Sequence, residues 1–158
     1  MSLSFTRKTD YALVALSELA REHHQEQSPL SARRLADEFK LPLPLLMNAL
    51  KELHRAGILS SRRGAGGGYS LAKPPEALSL LEIIECLEGT INISLCSDGG
   101  AHAEEEECGG CSIVHTCPIS MPIQRLNTLL QNFLAGISLA DLTTNTSIIP
   151  LTGLGVRV

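Results

Sequence analysis

Four cysteines fall within 22 positions, at Cys96, Cys108, Cys111 and Cys117, against one elsewhere, Cys86. Thiolates are soft donors that suit zinc, copper(I) or an iron–sulfur cluster. The spacing Cys96-x11-Cys108-x2-Cys111-x5-Cys117 lets one loop deliver three or four of them to a single centre. Gly99, Gly100, Gly109 and Gly110 supply the bends, and His102 and His115 are possible nitrogen donors. The pair Cys108-x2-Cys111 is equally at home in zinc sites. Glu104 to Glu107 run directly into Cys108. Their mutual repulsion holds the loop open without a cation and opposes thiolate formation. The plain alternative is a loop of ordinary thiols. Cys86, between Ile83 and Leu87 on a helix, reads as a small core residue.

The second chemistry-bearing set is basic. Residues 1–73 hold 11 Lys+Arg against 7 Asp+Glu, and residues 74–158 hold 2 against 10. The formal net charge of -4 therefore conceals a basic half and an acidic half. Only the first suits a polyanion such as nucleic acid.

The elements that must carry these residues follow from periodicity and punctuation. At 158 residues and 44% hydrophobic, the chain suffices for one cored domain with an appended element. Residues 8–22 predict an amphipathic helix with Tyr11, Leu13, Val14, Leu16, Leu19 and Ala20 on its apolar stripe. Ser31 predicts an N-cap for a short helix Ala32–Glu38, with a turn from Phe39 to Leu43. Pro42 and Pro44 bracket the start of the next helix, which runs to Arg55 and stops at Gly57. Leu46, Ala49, Leu50 and Leu53 make its inner face. Two short strands then flank Gly64-Ala65-Gly66-Gly67-Gly68. Pro74-Pro75 mark a boundary, and Ser79 caps a helix through Glu88 that ends at Gly89. A last helix spans about Pro122 to Leu134, with Ile123, Leu126, Leu129, Leu130, Phe133 and Leu134 apolar. The tail from Leu139 carries no pattern. The fold class expected is mainly α with a small β wing: a winged helix-turn-helix with a C-terminal dimerisation helix.

In that arrangement the second helix lies in a major groove of double-stranded DNA and presents Pro44, Met47, Asn48, Lys51 and Arg55. Asn48 suits adenine, Lys51 guanine or a phosphate, and Met47 a thymine methyl. Arg33 and Arg34 suit phosphates, which set register without reading sequence. Arg62 and Arg63 precede the glycine-rich turn, where glycine permits close backbone approach to a duplex and arginine favours a narrow minor groove. Arg63 is the better candidate for insertion. Exposed basic residues are ordinarily solvated surface, so the assembly carries the inference and no single side chain does. A nucleotide P-loop is excluded because no Gly-Lys-Ser/Thr follows the glycines. No nucleophile–base or carboxylate pair suggests an enzyme. No apolar run reaches membrane-spanning length, and the N-terminus has no signal core, so a cytoplasmic location is expected.

Three segments carry a resemblance: TDYALVALSELA (9–20), LPLPLLMNALKELHRAGILSSRRGAGGGYSLAKP (41–74) and SLLEIIECLEGTI (79–91). With the RGAGGGY wing and the EGTI join, they resemble the Rrf-two family of bacterial regulators over about residues 3–142. ISLCS and CPISMPIQRLN look similar to its cluster-assembly branch. The resemblance implies a homodimer whose helix from about Pro122 packs on its twin, and two winged helices reading a palindromic operator. It also implies an iron–sulfur cluster of two or four irons. Cys111 and Cys117 match the family's last two cysteine ligands, and Cys96 its first. Ser120 stands where the iron–sulfur branch has a ligating histidine. Cys108, or Asp10 from the partner subunit, is then the implied fourth ligand. Met47 replaces a glutamate that governs operator choice in that branch, and the tryptophan often found after the last cysteine is absent.

The organisation expected is a DNA-binding domain over 1–90, a cluster-binding loop over 91–117, a dimerisation helix over 118–142 and a tail over 143–158. The function expected is a transcription regulator, repressor or activator, sensing iron–sulfur, redox or nitric-oxide status. The rivals are a zinc- or thiol-based regulator without a cluster, and a cluster scaffold that does not bind DNA.

Overall fold

The computed structural model, which describes residues 5–25, 28–64, 66–94, 113 and 115–143, holds six α-helices and one β-hairpin among those residues. Helix α1 is Arg7–Gln25, somewhat longer than expected. Its core side is set by Ala12, Ala15, Leu16, Leu19 and Ala20, all buried. Val14, expected on the stripe, is 36% exposed. The small alanines let α1 lie close to its neighbours, which turns the packed face away from Val14.

Helix α2 is Ala32–Phe39. Ser31 caps it as expected, its Oγ accepting from Arg34 N at 3.1 Å. The turn into helix α3, Leu43–Arg55, uses Lys40 in a left-handed conformation at φ 53°. Leu41 N donates to Ala36 O at 2.8 Å across that turn. Lysine in this region costs on the order of 1 kcal/mol that glycine would not, so the turn is held by the packing of the two helices. Pro44 sits in the first turn of α3, where its missing N–H breaks no helical bond. Leu46, Ala49, Leu50 and Leu53 are fully buried, the inner face expected. Burying each of the three leucines stabilises by about 1.5–3 kcal/mol. The helix ends in a Schellman pair: Ile58 N donates to Leu53 O (3.0 Å), and Gly57 N to His54 O (3.1 Å). Gly57 has the positive φ, 75°, that this motif needs.

Strands β1, Leu59–Arg62, and β2, Gly68–Leu71, pair antiparallel, with Leu59 opposite Leu71 and Arg62 opposite Gly68. A third segment was not foreseen. Leu30 bridges Tyr69 through reciprocal backbone bonds of 2.9 and 2.8 Å, which seats the hairpin on the residues just before α2. Helix α4, Leu80–Glu88, is capped by Ser79 Oγ accepting from Glu82 N at 3.1 Å. It follows a short 3-10 turn at Pro75–Ala77.

Helix α5 is Ser120–Ala135, so it starts before the expected Pro122, which lies in its first turn. Helix α6, Leu139–Thr143, replaces the patternless start of the tail. Ser138 and Asp141 cap it reciprocally: Ser138 N and Oγ donate to the carboxylate (2.8 and 2.6 Å), and Asp141 N donates back to Ser138 Oγ (3.2 Å). Those bonds hold the Asp141 carboxyl below the usual carboxylate range. Leu139 is fully buried in the same core as α1 and α3. Residues 118–142 therefore hold two helices, not one. A smaller apolar cluster of Leu80, Ile84 and Leu134 joins α4 to α5.

Candidate nucleic-acid interface and cysteine segment

The side of α3 opposite its buried face carries the expected contact residues. Pro44, Asn48, Lys51 and Arg55 are exposed and Met47 is half-buried. Their three- and four-residue spacing puts them on one side of the helix. Arg33 and Arg34 are exposed on α2, Arg62 is exposed at the end of β1, and Arg63 follows it. Among the described residues the ion pairs use Lys8, Arg21 and Lys73. None of the expected contact cations is engaged, so their charge is available to a polyanion. Three basic segments are thus borne by consecutive elements of one helix-turn-helix and wing.

The wing glycines divide by role. A Cβ on Gly68 would meet Ser31 N at 2.8 Å and the Leu30 carbonyl more closely still. A Cβ on Gly67 would meet Arg63 C at 2.9 Å and Arg62 O more closely still. Gly66 faces open space. Close approach to DNA was the expected reason for these glycines. The protein's own backbone is the reason at Gly67 and Gly68.

One residue of this region escaped the sequence reading. His54, in the last turn of α3, has Nδ1 3.0 Å from Leu59 O and Nε2 3.1 Å from Ser61 Oγ. No periodicity marks it, because its partners lie beyond the helix end.

Of the expected metal ligands, Cys96, Cys108 and Cys111 lie outside the described residues, as does His102. Cys117 is a half-buried free thiol three residues before α5. Its carbonyl accepts from Ser120 N (3.3 Å) and Ser120 Oγ (3.1 Å). Ser120 is itself buried, and its hydroxyl donates to this carbonyl. Asp10 is exposed in the first turn of α1, with no side-chain partner among the described residues. His115 is exposed. Cys86 is only partly buried. Burial first, then the charge of Glu52, pushes its thiol up, which disfavours the thiolate.

The segment entering the cysteine stretch is gripped by α5. Asn127, buried, accepts from Ile93 N at 3.1 Å and donates Nδ2–H to Asn92 Oδ1 at 3.2 Å. Gln131 donates to Ile91 O at 3.1 Å. The base of this segment is also tied to α1. The Glu88 carboxylate accepts from Thr6 N (3.0 Å), Thr6 Oγ1 (2.6 Å) and Thr9 Oγ1, capping α1 from outside. Desolvation raises the Glu88 carboxyl, but these bonds and Lys8 outweigh it and hold it below the ordinary value.

The chain thus carries exposed cations on α3 and the wing, and a free Cys117 just before a separate helix. The family model for Rrf2, described as iron-dependent transcriptional regulator, matches residues 5–145. The chain belongs to the Rrf2 family. This Rrf2 chain is 36% identical over 90 residues to the HTH-type transcriptional regulator IscR of Cereibacter sphaeroides. That match covers 57% of the chain and 58% of the relative's own length. IscR of Klebsiella pneumoniae is 26% identical over 151 residues, 96% of this chain and 86% of that one. Among solved structures, CymR, the global cysteine regulator of B. subtilis, superposes with a TM-score of 0.68 at 27% identity. It covers 92% of this chain and 100% of that one. The Rrf2 fold and a DNA-binding regulatory role follow, and an enzyme does not. Among the described residues, no helix is long and apolar enough to cross a membrane.

Proposed function

We propose that this Rrf2 chain is a cytoplasmic homodimer that reads a palindromic operator under control of an iron–sulfur cluster. Cys96, Cys111 and Cys117 hold the cluster, with Cys108 or the partner copy's equivalent of Asp10 completing the set. The observation that carries the reading is the double use of α5. On one side it grips both ends of the cysteine segment, through Asn127 and Gln131 before it and Ser120 after it. On another it leaves Met121, Leu126 and Leu129 about half exposed, an apolar stripe that a second copy of α5 would cover. A change at the cysteines therefore acts on the same rigid helix that sets the spacing of two α3 helices. Half-sites lie one helical turn, about 34 Å, or multiples of it apart, so a small change in spacing costs affinity.

The donor chemistry fits such a group: clustered thiols, a soft-ligand preference and a free Cys117 at the stem. When bound, a cluster supplies a centre that reacts with oxidants and nitric oxide. The chain's own residues bind it, fix the stem through Ser120 and carry its state to α5. The likeness to CymR favours a second reading, in which the cysteines act as thiols without a cluster.

Purification without oxygen, followed by the visible spectrum and the iron and sulfide content, tests the proposal. A brown protein with matched iron and sulfide, and operator affinity that differs between loaded and apo forms, is the expected result. A colourless protein that fails reconstitution returns the reading to zinc or thiol chemistry. Identical affinity for the two forms refutes the switch.

A further inference from the structure

We propose that His54 is a positioning residue that fixes the wing to α3, so that Arg62 and Arg63 meet DNA in register with Asn48, Lys51 and Arg55. The proposal rests on the DNA-binding part of the function above and not on the cluster.

Among the described residues, few side-chain contacts hold the exposed end of β1 to α3. Only three residues, Ala56 to Ile58, join α3 to β1, and Gly57 among them has a positive φ. In β1, Leu59 is buried, while Ser60, Ser61 and Arg62 are exposed. The bridge from Leu30 to Tyr69 seats β2 and leaves β1 to follow through the hairpin ladder. The Ser60–Ser70 hydroxyl contact, 2.8 Å, also stays within the hairpin. Among the described residues, the side-chain tie from the exposed part of β1 back to α3 is the contact of Ser61 with His54 Nε2, 3.1 Å.

The ring chemistry makes the tie directional. The Leu59 carbonyl only accepts, so Nδ1 at 3.0 Å carries the hydrogen. In the neutral ring Nε2 then offers a lone pair, to which Ser61 donates its hydroxyl. One neutral tautomer satisfies both partners at once. Ser61 immediately precedes Arg62 and Arg63, and His54 immediately precedes Arg55. The imidazole thus spans the two places where basic side chains leave the protein. Loss of it frees the wing to sample positions that must be reordered on binding.

A double-mutant cycle reads this directly. The probe is a duplex selected from a random-sequence pool by the unmodified protein. Dissociation constants are measured over a salt series for His54→Ala, Ser61→Ala, Arg63→Ala and the double variant His54→Ala/Arg63→Ala, with thermal midpoints alongside. Each single change at His54 or Ser61 is expected to weaken binding by roughly three- to tenfold, and on the Arg63→Ala background the His54 change by less than about twofold. Hydroxyl-radical footprints should lose minor-groove protection under the wing and keep protection under α3. A purely structural role for His54 predicts equal losses on both backgrounds, and that result overturns the proposal. Ser61→Ala alters an exposed hydroxyl, so it tests the tie even if His54→Ala folds poorly, and undiminished binding by it overturns the proposal too. Absence of salt-dependent binding by the unmodified protein overturns this inference together with the DNA-binding reading, whereas normal binding with additive losses overturns His54 alone.

Discussion

Replacing Gly68 by alanine separates two explanations for the glycine-rich wing. The added Cβ would stand 2.8 Å from Ser31 N and closer to the Leu30 carbonyl. Leu30 is anchored, with 1% of its surface exposed, so its backbone has little room to retreat. Relief requires opening the bridge between Leu30 and Tyr69, whose bonds are 2.9 and 2.8 Å. Two backbone bonds at about 0.5–1.5 kcal/mol each give a loss of about 2 kcal/mol. Alanine's smaller unfolded-state entropy returns about 0.5–1 kcal/mol. The net is a destabilisation of roughly 1–2 kcal/mol, or a midpoint lowered by about 2–8 °C for a chain of this size. Gly66→Ala is the control, because nothing lies within 4 Å of its Cβ. It should leave stability within about 0.5 kcal/mol. Urea and thermal unfolding of both variants suffice as the assay. Equal stability of the two would refute the steric reasoning and return Gly68 to a role at the DNA surface.

Three further outcomes follow from the same contacts. The Glu88 carboxyl lies below its ordinary value, so its capping of α1 stabilises above the unfolded-state value, about pH 4.3, and is lost as pH falls through the lower folded value. Glu88→Gln should flatten the acid side of a plot of thermal midpoint against pH, and an unchanged acid limb would count against the cap. Leu126→Glu, at a position 49% exposed, should leave the folded chain intact but shift sedimentation from dimer to monomer. An unchanged sedimentation coefficient would place the dimer contact elsewhere. Asn127→Ala removes the partner of the part-buried Ile93 N–H bond and should cost about 0.5–1.5 kcal/mol, read by urea unfolding. A cost below the error of that measurement would show that the 91–93 segment does not depend on α5.

Most of the helix-turn-helix was legible because its signals are local. Ser31 and Ser79 cap the helices they were expected to cap, and the inner face of α3 is the one its spacing predicts. Of the expected α1 stripe, Leu16, Leu19 and Ala20 are buried and Leu13 packs against the core, whereas Val14 is exposed. The buried Ala12 and Ala15 were missed because alanine reads as neutral in a hydrophobic pattern. The Leu30 bridge was invisible because one residue pairing at long range leaves no period. Helix α6 did have a signal, Ser138-Leu-Ala-Asp141, a reciprocal cap that its length of five residues obscured. The clasp of His54 had none, since its partners are set by the turn after the helix.

The polar residues of α5 mark the limit of reading from apolar spacing. Ser120, Asn127 and Leu134 recur every seven residues and form its buried side. Two of the three are polar, so apolar spacing misses Ser120 and Asn127. Of the expected apolar residues Leu134 is buried with Leu130 and Phe133 against it, whereas Leu126 and Leu129 are exposed. The reason is what each side meets. The inner side faces the backbone of residues 91–93 and the carbonyl of Cys117, which demand hydrogen-bond partners once removed from water. On the outer side Leu126 and Leu129 remain about half exposed. A buried side that mixes amides with the apolar contact to α4, opposite a side with exposed leucines, departs from the usual order for a helix serving a single core. That departure is the one expected of a helix whose core is shared with a second copy and whose inner side holds a loop in place.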